Sequence, residues 1–356
     1  MKKHNYSAGP CILPQEVFEK SAQAILNFND SGLSLLEISH RSKDFVAVME
    51  EARALVLELL DLKDKGYQAI FLGGGASLEF LMVPYNLMKE NGKAAYLNTG
   101  TWASGAIKEA KFFGTTTVVA SSEEENFNHI PKGYTIPADA DYFHCTSNNT
   151  IFGTQMKEFP ETDIPVVCDM SSDIFSRKID FSKFDIIYAG AQKNMGPAGT
   201  TLVVIKEEIL GKTGRTIPSM LDYAKHIKAD SMYNTPPVFP VYASLLTLQW
   251  LKKIGGIEAI EKINDAKAAL LYNEIDRNPL FRGTAAVEDR SNMNATFLLN
   301  DESHAAKFDE MCKAAGINGL PGHRSVGGYR ASMYNALPLE SVQVLADVMK
   351  ELETIV

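Results

Sequence analysis

Positive charge and long apolar runs are both scarce in this chain of 356 residues. It has 35 Lys and Arg against 44 Asp and Glu, a net charge of -9, which excludes nucleic acid or an anionic membrane as its main partner. The longest uncharged run, residues 231–251, contains three prolines, so we predict a loop entering a buried helix rather than a membrane span. No apolar core of a signal peptide follows the two N-terminal lysines, which predicts a cytoplasmic protein.

Cysteine is also rare, and its spacing excludes two common uses. The four cysteines are far apart and form no C-x-x-C pair: Cys11, Cys145, Cys168 and Cys312. We predict free, buried thiols in a reducing compartment and no metal site. A chain of this length, with 45% hydrophobic and 22% charged residues, buries a large core without disulfides or metal.

Short apolar runs alternate with helical patterns over the first 255 residues. Apolar residues at spacings of three and four predict helices at 17–28 and 45–60, and further helices begin near Ala76 and Trp102. Seven apolar runs are predicted strands: 68–72, 94–97, 116–119, 142–145, 166–168, 184–189 and 201–205. Such alternation indicates an α/β fold with a mostly parallel sheet covered on both faces. Ligands of these sheets bind beyond the carboxyl ends of the strands.

The pattern changes after about residue 255. A long helix at 257–275 is followed by predicted strands at 284–287 and 296–299, and then by helices at 305–315 and 339–355. We therefore expect a large domain at residues 15–255 and a smaller α+β domain at 256–356, joined at Gly255 and Gly256. Residues 1–14 are expected to pack near the active site.

A glycine-rich turn is the first candidate for binding an anion. Gly73, Gly74 and Gly75 follow a predicted strand and precede a helix, with Ser77 available as its cap. The spacing lacks the third glycine of a dinucleotide-binding fingerprint, and Lys212 follows no complete P-loop. A phosphate cradle and an ordinary tight turn both remain open.

Two further strand ends carry reactive side chains. Asp169 ends a predicted strand, where it is either a ligand-facing carboxylate or a cap for the next segment. Lys193 lies in a loop of small residues, where it is either a solvated charge or a desolvated amine with a lowered pKa. Lysine, carboxylate and phosphate cradle together are what pyridoxal 5'-phosphate requires, and Trp102 is either its stacking ring or a core residue.

Local positive charge is the last candidate in this acidic chain. His40 and Arg41 lie near the N-terminus, and His323, Arg324 and Arg330 lie in a glycine-rich stretch near the C-terminus. Arginine binds carboxylate and phosphate through a planar fork, so these residues suit a small multiply charged anion. Solvated surface charge is the alternative.

Several motifs together resemble the phosphoserine aminotransferases, a class-V aminotransferase family of fold-type I pyridoxal-phosphate enzymes. The matching segments are Ser7-Ala8-Gly9-Pro10, Glu37-Ile38-Ser39-His40-Arg41, Gly73-Gly74-Gly75-Ala76-Ser77, Tyr188-Ala189-Gly190-Ala191-Gln192-Lys193-Asn194, Met232-Tyr233-Asn234-Thr235-Pro236-Pro237 and Gly322-His323-Arg324-Ser325-Val326-Gly327-Gly328. The resemblance extends over essentially the whole chain. It implies a large domain with a seven-stranded sheet and a smaller C-terminal domain.

The resemblance also implies a role for each matching residue. Lys193 would form the Schiff base, and Asp169 would pair with the ring nitrogen of the cofactor. The other expected cofactor contacts are Gly75, Ala76, Ser77, Trp102, Thr150 and Gln192, with Asn234 and Thr235 reaching the cofactor of the second subunit in a homodimer. The expected substrate contacts are His40, Arg41, His323, Arg324 and Arg330. Some members have Arg at the position of Ala76, where only a backbone contact remains possible here.

The activity implied is ping-pong transfer of an amino group between glutamate and 3-phosphohydroxypyruvate. Its products are 2-oxoglutarate and O-phospho-L-serine, in serine biosynthesis and, in some bacterial relatives, pyridoxine biosynthesis. Two alternatives stay open at this point. One is another fold-type I aminotransferase or lyase acting on a different small anionic amino acid, and the other is a non-catalytic anion-binding protein with the same fold.

Overall fold

The structure is a computed structural model that describes residues 3–356. Its ten described α-helices are α1 (Gln15–Leu26), α2 (Lys43–Leu59), α3 (Ala76–Leu87), α4 (Thr101–Ala110), α5 (Ala191–Asn194), α6 (Tyr223–Lys228), α7 (Val238–Lys253), α8 (Gly256–Arg277), α9 (Ala305–Ala314) and α10 (Leu339–Ile355). The twelve described strands are β1 (His4–Asn5), β2 (Tyr67–Leu72), β3 (Lys93–Asn98), β4 (Thr115–Ser121), β5 (Tyr142–Thr146), β6 (Val166–Asp169), β7 (Ile186–Gly190), β8 (Thr201–Lys206), β9 (Phe281–Gly283), β10 (Asn294–Leu299), β11 (Ile317–Asn318) and β12 (Tyr329–Ser332).

Seven strands form the central sheet, in the order β2-β8-β7-β6-β5-β3-β4. Only β8 runs antiparallel to its neighbours, which confirms the predicted α/β fold with a mostly parallel sheet. Successive strand residues alternate between two apolar cores: Phe143 and Ile187 pack in one, Tyr142 and Tyr188 in the other. The sheet is thus buried on both faces, which explains its nearly continuous apolar strands.

The C-terminal region, residues 256–356, has its own antiparallel sheet in the order β12-β10-β9. The strand predicted at 284–287 is wrong, because β9 ends at Gly283 and a 3-10 helix occupies Val287–Asp289. The Ala286 N–H donates to the Asn128 carbonyl at 2.7 Å, so this residue bonds the segment between β4 and β5 instead of extending the strand. Strand β12, which the sequence pattern missed, carries Arg330.

The N-terminal residues belong to the C-terminal core. Strand β1 pairs in parallel with β11, and Tyr6 and Ile12 are buried in the cluster formed by the C-terminal helices. Gly255, with φ 107°, separates α7 from α8. The division into domains at residues 255 and 256 stays a prediction. Across residues 3–356, no helix combines the length and hydropathy needed to cross a membrane.

Candidate active site

Lys193 lies one turn beyond the end of β7, in the short helix α5. Its Nζ donates to Thr150 Oγ1 at 2.9 Å and stands 5.1 Å from the centre of the Trp102 ring. Burial lowers the pKa of Lys193, the charge of Arg330 lowers it further, and the carboxylate of Asp169 opposes both. A lowered pKa makes the amine available as a nucleophile and as a base.

Asp169 ends β6, the strand next to the one that leads to Lys193. Its side chain is 5% exposed, and Oδ1 accepts the Ser171 N–H at 2.9 Å. Burial raises the pKa of Asp169, while the positive charge of Lys193 lowers it. The Ser171 contact agrees with the interpretation of Asp169 as a cap for the next segment, and its ligand-facing role stays a prediction.

The glycine-rich turn joins β2 to α3. The predicted cap at Ser77 is wrong, because helix α3 begins after Gly75 and no side chain caps it. The Leu78 N–H donates to the Gly75 carbonyl at 3.0 Å, whereas no side chain caps the Ala76 and Ser77 N–H groups. The helix dipole adds positive potential at this helix start. Gly75 has φ 72°, and a Cβ added to it would find no atom within 4 Å, so the space beside this helix start is open. Thr200 Oγ1 donates to the Leu72 carbonyl at 3.2 Å, which fixes the glycine turn to the segment that follows Lys193.

Trp102 is both a packing residue and a wall of the site. It lies in the first turn of α4 and packs against the apolar core that contains Tyr188. Its Nε1 is buried, and no hydrogen-bond partner for it occurs in the described part of the chain. The face of the ring contacts the Lys193 amine. The Nε1–H at its edge has no partner among residues 3–356 and can donate a hydrogen bond to a ligand.

Arg330 connects the C-terminal region to this cluster. Its Nη1 donates to the Thr150 carbonyl at 3.1 Å, while its Nε is buried and finds no partner among residues 3–356. Burial lowers the pKa of Arg330. Thr150 therefore meets Lys193 through its hydroxyl and Arg330 through its carbonyl, so the predicted lysine and the predicted arginine share one residue.

The remaining predicted contacts on the rim form no hydrogen bond with Lys193 among residues 3–356. In the turn before α2, Arg41 donates from its N–H to Ser39 Oγ and from its Nε to His40 Nε2, and Arg41 is exposed. Asn234 and Thr235 are exposed in the loop before α7. His323 bonds Ser325 at 2.7 Å in the exposed loop that also carries Arg324. The pKa of His323 is lowered by burial and by Arg330 and Arg324, which indicates a local cationic field.

Two residues of this site were missed by the sequence reasoning. Ser171 Oγ accepts the Gly190 N–H at 3.1 Å, so it joins the turn after Asp169 to the loop that carries Lys193. Asp173 is buried and accepts from Gln155 and Arg177. The available signal was the polar run that follows β6 directly, because polar residues at that sheet edge face the ligand side.

Together the fold and these contacts place a buried amine, a buried carboxylate and an open helix start at one edge of an α/β sheet. The model of class-V aminotransferases matches residues 4–345. The phosphoserine aminotransferases of Flavobacterium psychrophilum and Flavobacterium johnsoniae are 85% and 78% identical, each over 99% of both chains. A solved phosphoserine aminotransferase from Bacillus circulans subsp. alkalophilus is 43% identical over 99% of both chains, with a TM-score of 0.96.

The chain belongs to the class-V aminotransferase family. This membership confirms the family expected from the sequence motifs and the prediction of an aminotransferase that uses pyridoxal 5'-phosphate. A second solved relative, described as phosphoserine aminotransferase from Trichomonas vaginalis with the cofactor bound, is 36% identical with a TM-score of 0.93, over 98% of this chain and 100% of that one.

Proposed function

We propose that this protein is a phosphoserine aminotransferase that transfers an amino group between glutamate and 3-phosphohydroxypyruvate. The observation that carries the proposal is the cluster in which Thr150 joins the Lys193 amine to the substrate arginine, Arg330. The 85% identity to a relative of that name, over 99% of both chains, supports the same substrates.

The residues present fit pyridoxal 5'-phosphate. Lys193 would hold it covalently, Asp169 would accept from its ring nitrogen, and the unpartnered edge of Trp102 borders the space for its ring. The helix start at Gly75, Ala76 and Ser77 would bind its phosphate through backbone N–H groups, with Gln192 beside it. When bound, the cofactor supplies an electron sink that stabilises a carbanion at the substrate's Cα.

The chain's own residues would then move the proton and hold the substrate. With its pKa lowered by burial, the Lys193 amine can take a proton from the Cα of glutamate, and Thr150 orients that amine. The charge of Lys193 and of a protonated ring nitrogen would both favour the ionised form of Asp169. His40, Arg41, His323 and Arg324 would bind the substrate's phosphate and Arg330 its carboxylate, which distinguishes phosphorylated from neutral substrates.

We propose in addition that two copies of the chain form a homodimer with shared active sites, in the cytoplasm. Leu26 and Leu36 are 77% and 64% exposed, and the Leu35 N–H donates to the Ala24 carbonyl, so α1 and the 31–36 turn form one exposed apolar surface. Such a surface is typical of an interface between subunits. Asn234 and Thr235 are free to reach the second subunit's cofactor, and the His40–Arg41 turn its substrate.

An absorption spectrum tests the proposal. The purified protein loaded with pyridoxal 5'-phosphate should show the visible band of a cofactor attached to lysine. Glutamate should bleach that band, and 3-phosphohydroxypyruvate should restore it with release of phosphoserine. Replacing the second substrate with its unphosphorylated analogue is the control for the phosphate requirement. A protein that stays colourless with added cofactor, or restores its band equally with both keto acids, would refute the assignment.

A further inference from the structure

The N-terminal segment, residues 6–11, approaches the lysine loop at three points. The Cys11 N–H donates to the Gln192 carbonyl at 3.0 Å, and the Cys11 thiol donates to the carbonyl of Lys193 itself. Gly9 approaches the lysine side chain, since a Cβ added to Gly9 would lie 3.5 Å from Lys193 Cγ. This segment includes the whole sequence motif Ser7-Ala8-Gly9-Pro10, to which no role in binding or catalysis has been given.

The same segment is anchored to the strand that carries Arg330. The Ser332 N–H, at the end of β12, donates to the Tyr6 carbonyl at 3.3 Å, and the Tyr334 hydroxyl donates to the Ala8 carbonyl at 2.7 Å. The Tyr6 N–H donates to the Asn318 carbonyl at 2.8 Å, and the Tyr6 side chain is fully buried. The segment is therefore bonded to the C-terminal region and also touches the lysine loop at the central sheet.

A second contact from the C-terminal region reaches the residue after the lysine. The Asn335 N–H donates to Asn194 Oδ1 at 2.9 Å, and both residues are buried. The turn that presents Asn335 is fixed by Lys267, whose buried amine donates to the carbonyls of Met333, Tyr334 and Leu337. Gln192, Lys193 and Asn194 are thus each bonded to a part of the chain that packs with the C-terminal core.

We propose that residues 6–11 position Lys193 through Cys11 and couple its loop to the strand that presents Arg330. Burial raises the pKa of Cys11 to about 12, so the thiol keeps its proton and stays a donor at neutral pH. A substrate carboxylate bound at Arg330 would shift the position of β12. Residues 6–11 would pass that shift to the backbone of Lys193. The proposal rests on the roles proposed for Lys193 and Arg330, and it gives Cys11 a positioning role.

Three variants test the coupling: Cys11→Ala removes the side-chain donor, Cys11→Ser retains one, and Cys312→Ala removes a buried thiol from the C-terminal core as the matched control. The readouts are the pH midpoint of the visible band of the loaded protein, and kcat and KM for phosphoserine. We expect Cys11→Ala to shift the midpoint and to lower kcat about three- to tenfold, the value of one hydrogen bond. KM should change less than kcat, Cys11→Ser should recover most of both losses, and Cys312→Ala should match the wild type.

The midpoint separates positioning from general loss of stability. The charged groups that act on Lys193 are Asp169, Asp173 and Arg330, and none of them is altered in these variants. If Cys11→Ala does not fold, Gly9→Ala replaces it, because residues with a side chain rarely adopt φ 154°. The substitution should displace the segment beside the lysine stem and so lower kcat.

An unchanged midpoint and kcat in Cys11→Ala would overturn the proposal, as would the same loss in Cys312→Ala. Failure of Cys11→Ser to recover either quantity would also overturn it. A wild-type protein without a visible band would refute the proposed function and this inference together. A normal wild-type band with unaffected Cys11 variants would refute this inference alone.

Discussion

The centre of the site, around Lys193, and its outer rim differ in burial. One chain builds the buried centre by itself, whereas the rim residues are exposed. Hydrogen bonds near neighbouring strand ends hold Lys193, Thr150 and Asp169. Burial lowers the pKa of Lys193 and raises that of Asp169. The rim residues, such as Arg41 and Asn234, are exposed. A preorganised centre needs little rearrangement during proton transfer, whereas an open rim admits substrate and can be completed by a second subunit.

Loss of the lysine amine should produce the largest effect, because it removes the proposed base. Lys193→Ala is expected to lower kcat by about 10⁴-fold and to abolish the visible band of the loaded protein. Lys212→Ala, which alters an exposed lysine in the incomplete P-loop-like sequence, is the control and should match the wild type. Residual turnover of Lys193→Ala above one-tenth of the wild type would show that another group is the base.

Arg330 tests the boundary between the centre and the rim, since it bonds Thr150 from the C-terminal region. Arg330→Ala should raise KM for phosphoserine about 10- to 100-fold, the value of a hydrogen bond between charged groups. Affinity for the cofactor, measured by titration of the visible band, should change less than threefold. Arg282→Ala, which alters an exposed arginine in β9, is the matched control. Equal losses of substrate and cofactor affinity would place Arg330 against the cofactor instead.

The rim tests whether a second chain completes the site. The double substitution Asn234→Ala with Thr235→Ala should weaken cofactor binding about tenfold, because two neutral hydrogen bonds are lost. Mixing this variant with Lys193→Ala should restore about a quarter of wild-type activity, provided that subunits exchange and the cofactor concentration is too low to load the double variant alone. Random pairing then makes half of the dimers mixed, each with one intact site.

Each variant incubated alone is the control for that mixture. Activity of the mixture no higher than the mean of the two separate variants would mean that each chain builds its site alone.

The same comparison explains which features the sequence could predict. Strand-end residues such as Asp169 and Lys193 were found because a parallel sheet brings the carboxyl ends of its strands to one edge. Contacts of Cys11 and Asn335 with the lysine loop were not found, because they join residues 141 or more positions apart and follow no periodicity. The strand misplaced at 284–287 failed for a similar reason, since a bond from Ala286 to Asn128 overrides the local pattern.

The smallest expected effect concerns a buried carboxyl group near the centre, that of Glu79. Its charge state can be tested through the pH dependence of stability. Glu79 is fully buried in α3, below the glycine turn, and its Oε2 accepts the Tyr223 hydroxyl at 2.5 Å. Its Oε1 is buried and unbonded among the described residues. Burial raises the pKa of Glu79 from 4.5 to about 8, so the folded protein holds it neutral at pH 6.

Stability should therefore fall with rising pH because of this group. Its folded pKa is raised, so its contribution is complete below pH 4.5 and is lost as the pH rises through about 8. Between pH 6 and 8 the loss approaches about 1.4 kcal/mol per pH unit, because only the folded state keeps the proton. Glu79→Gln stays neutral, and its unpaired amide costs the same at every pH. The variant should gain about 2 kcal/mol in unfolding free energy relative to the wild type over this range.

Urea unfolding at pH 6 and pH 8 measures that difference, and Glu124→Gln, at an exposed position, is the control. A Glu79→Gln difference that does not change with pH would mean that the carboxyl is ionised in the folded protein. A counterion or bound water would then stabilise the charge of the Glu79 carboxylate. The charged centre of the site would in that case extend through α3 to Tyr223. A difference that grows with pH instead limits the charged centre to Lys193, Asp169 and their immediate neighbours, with a neutral apolar floor below the glycine turn.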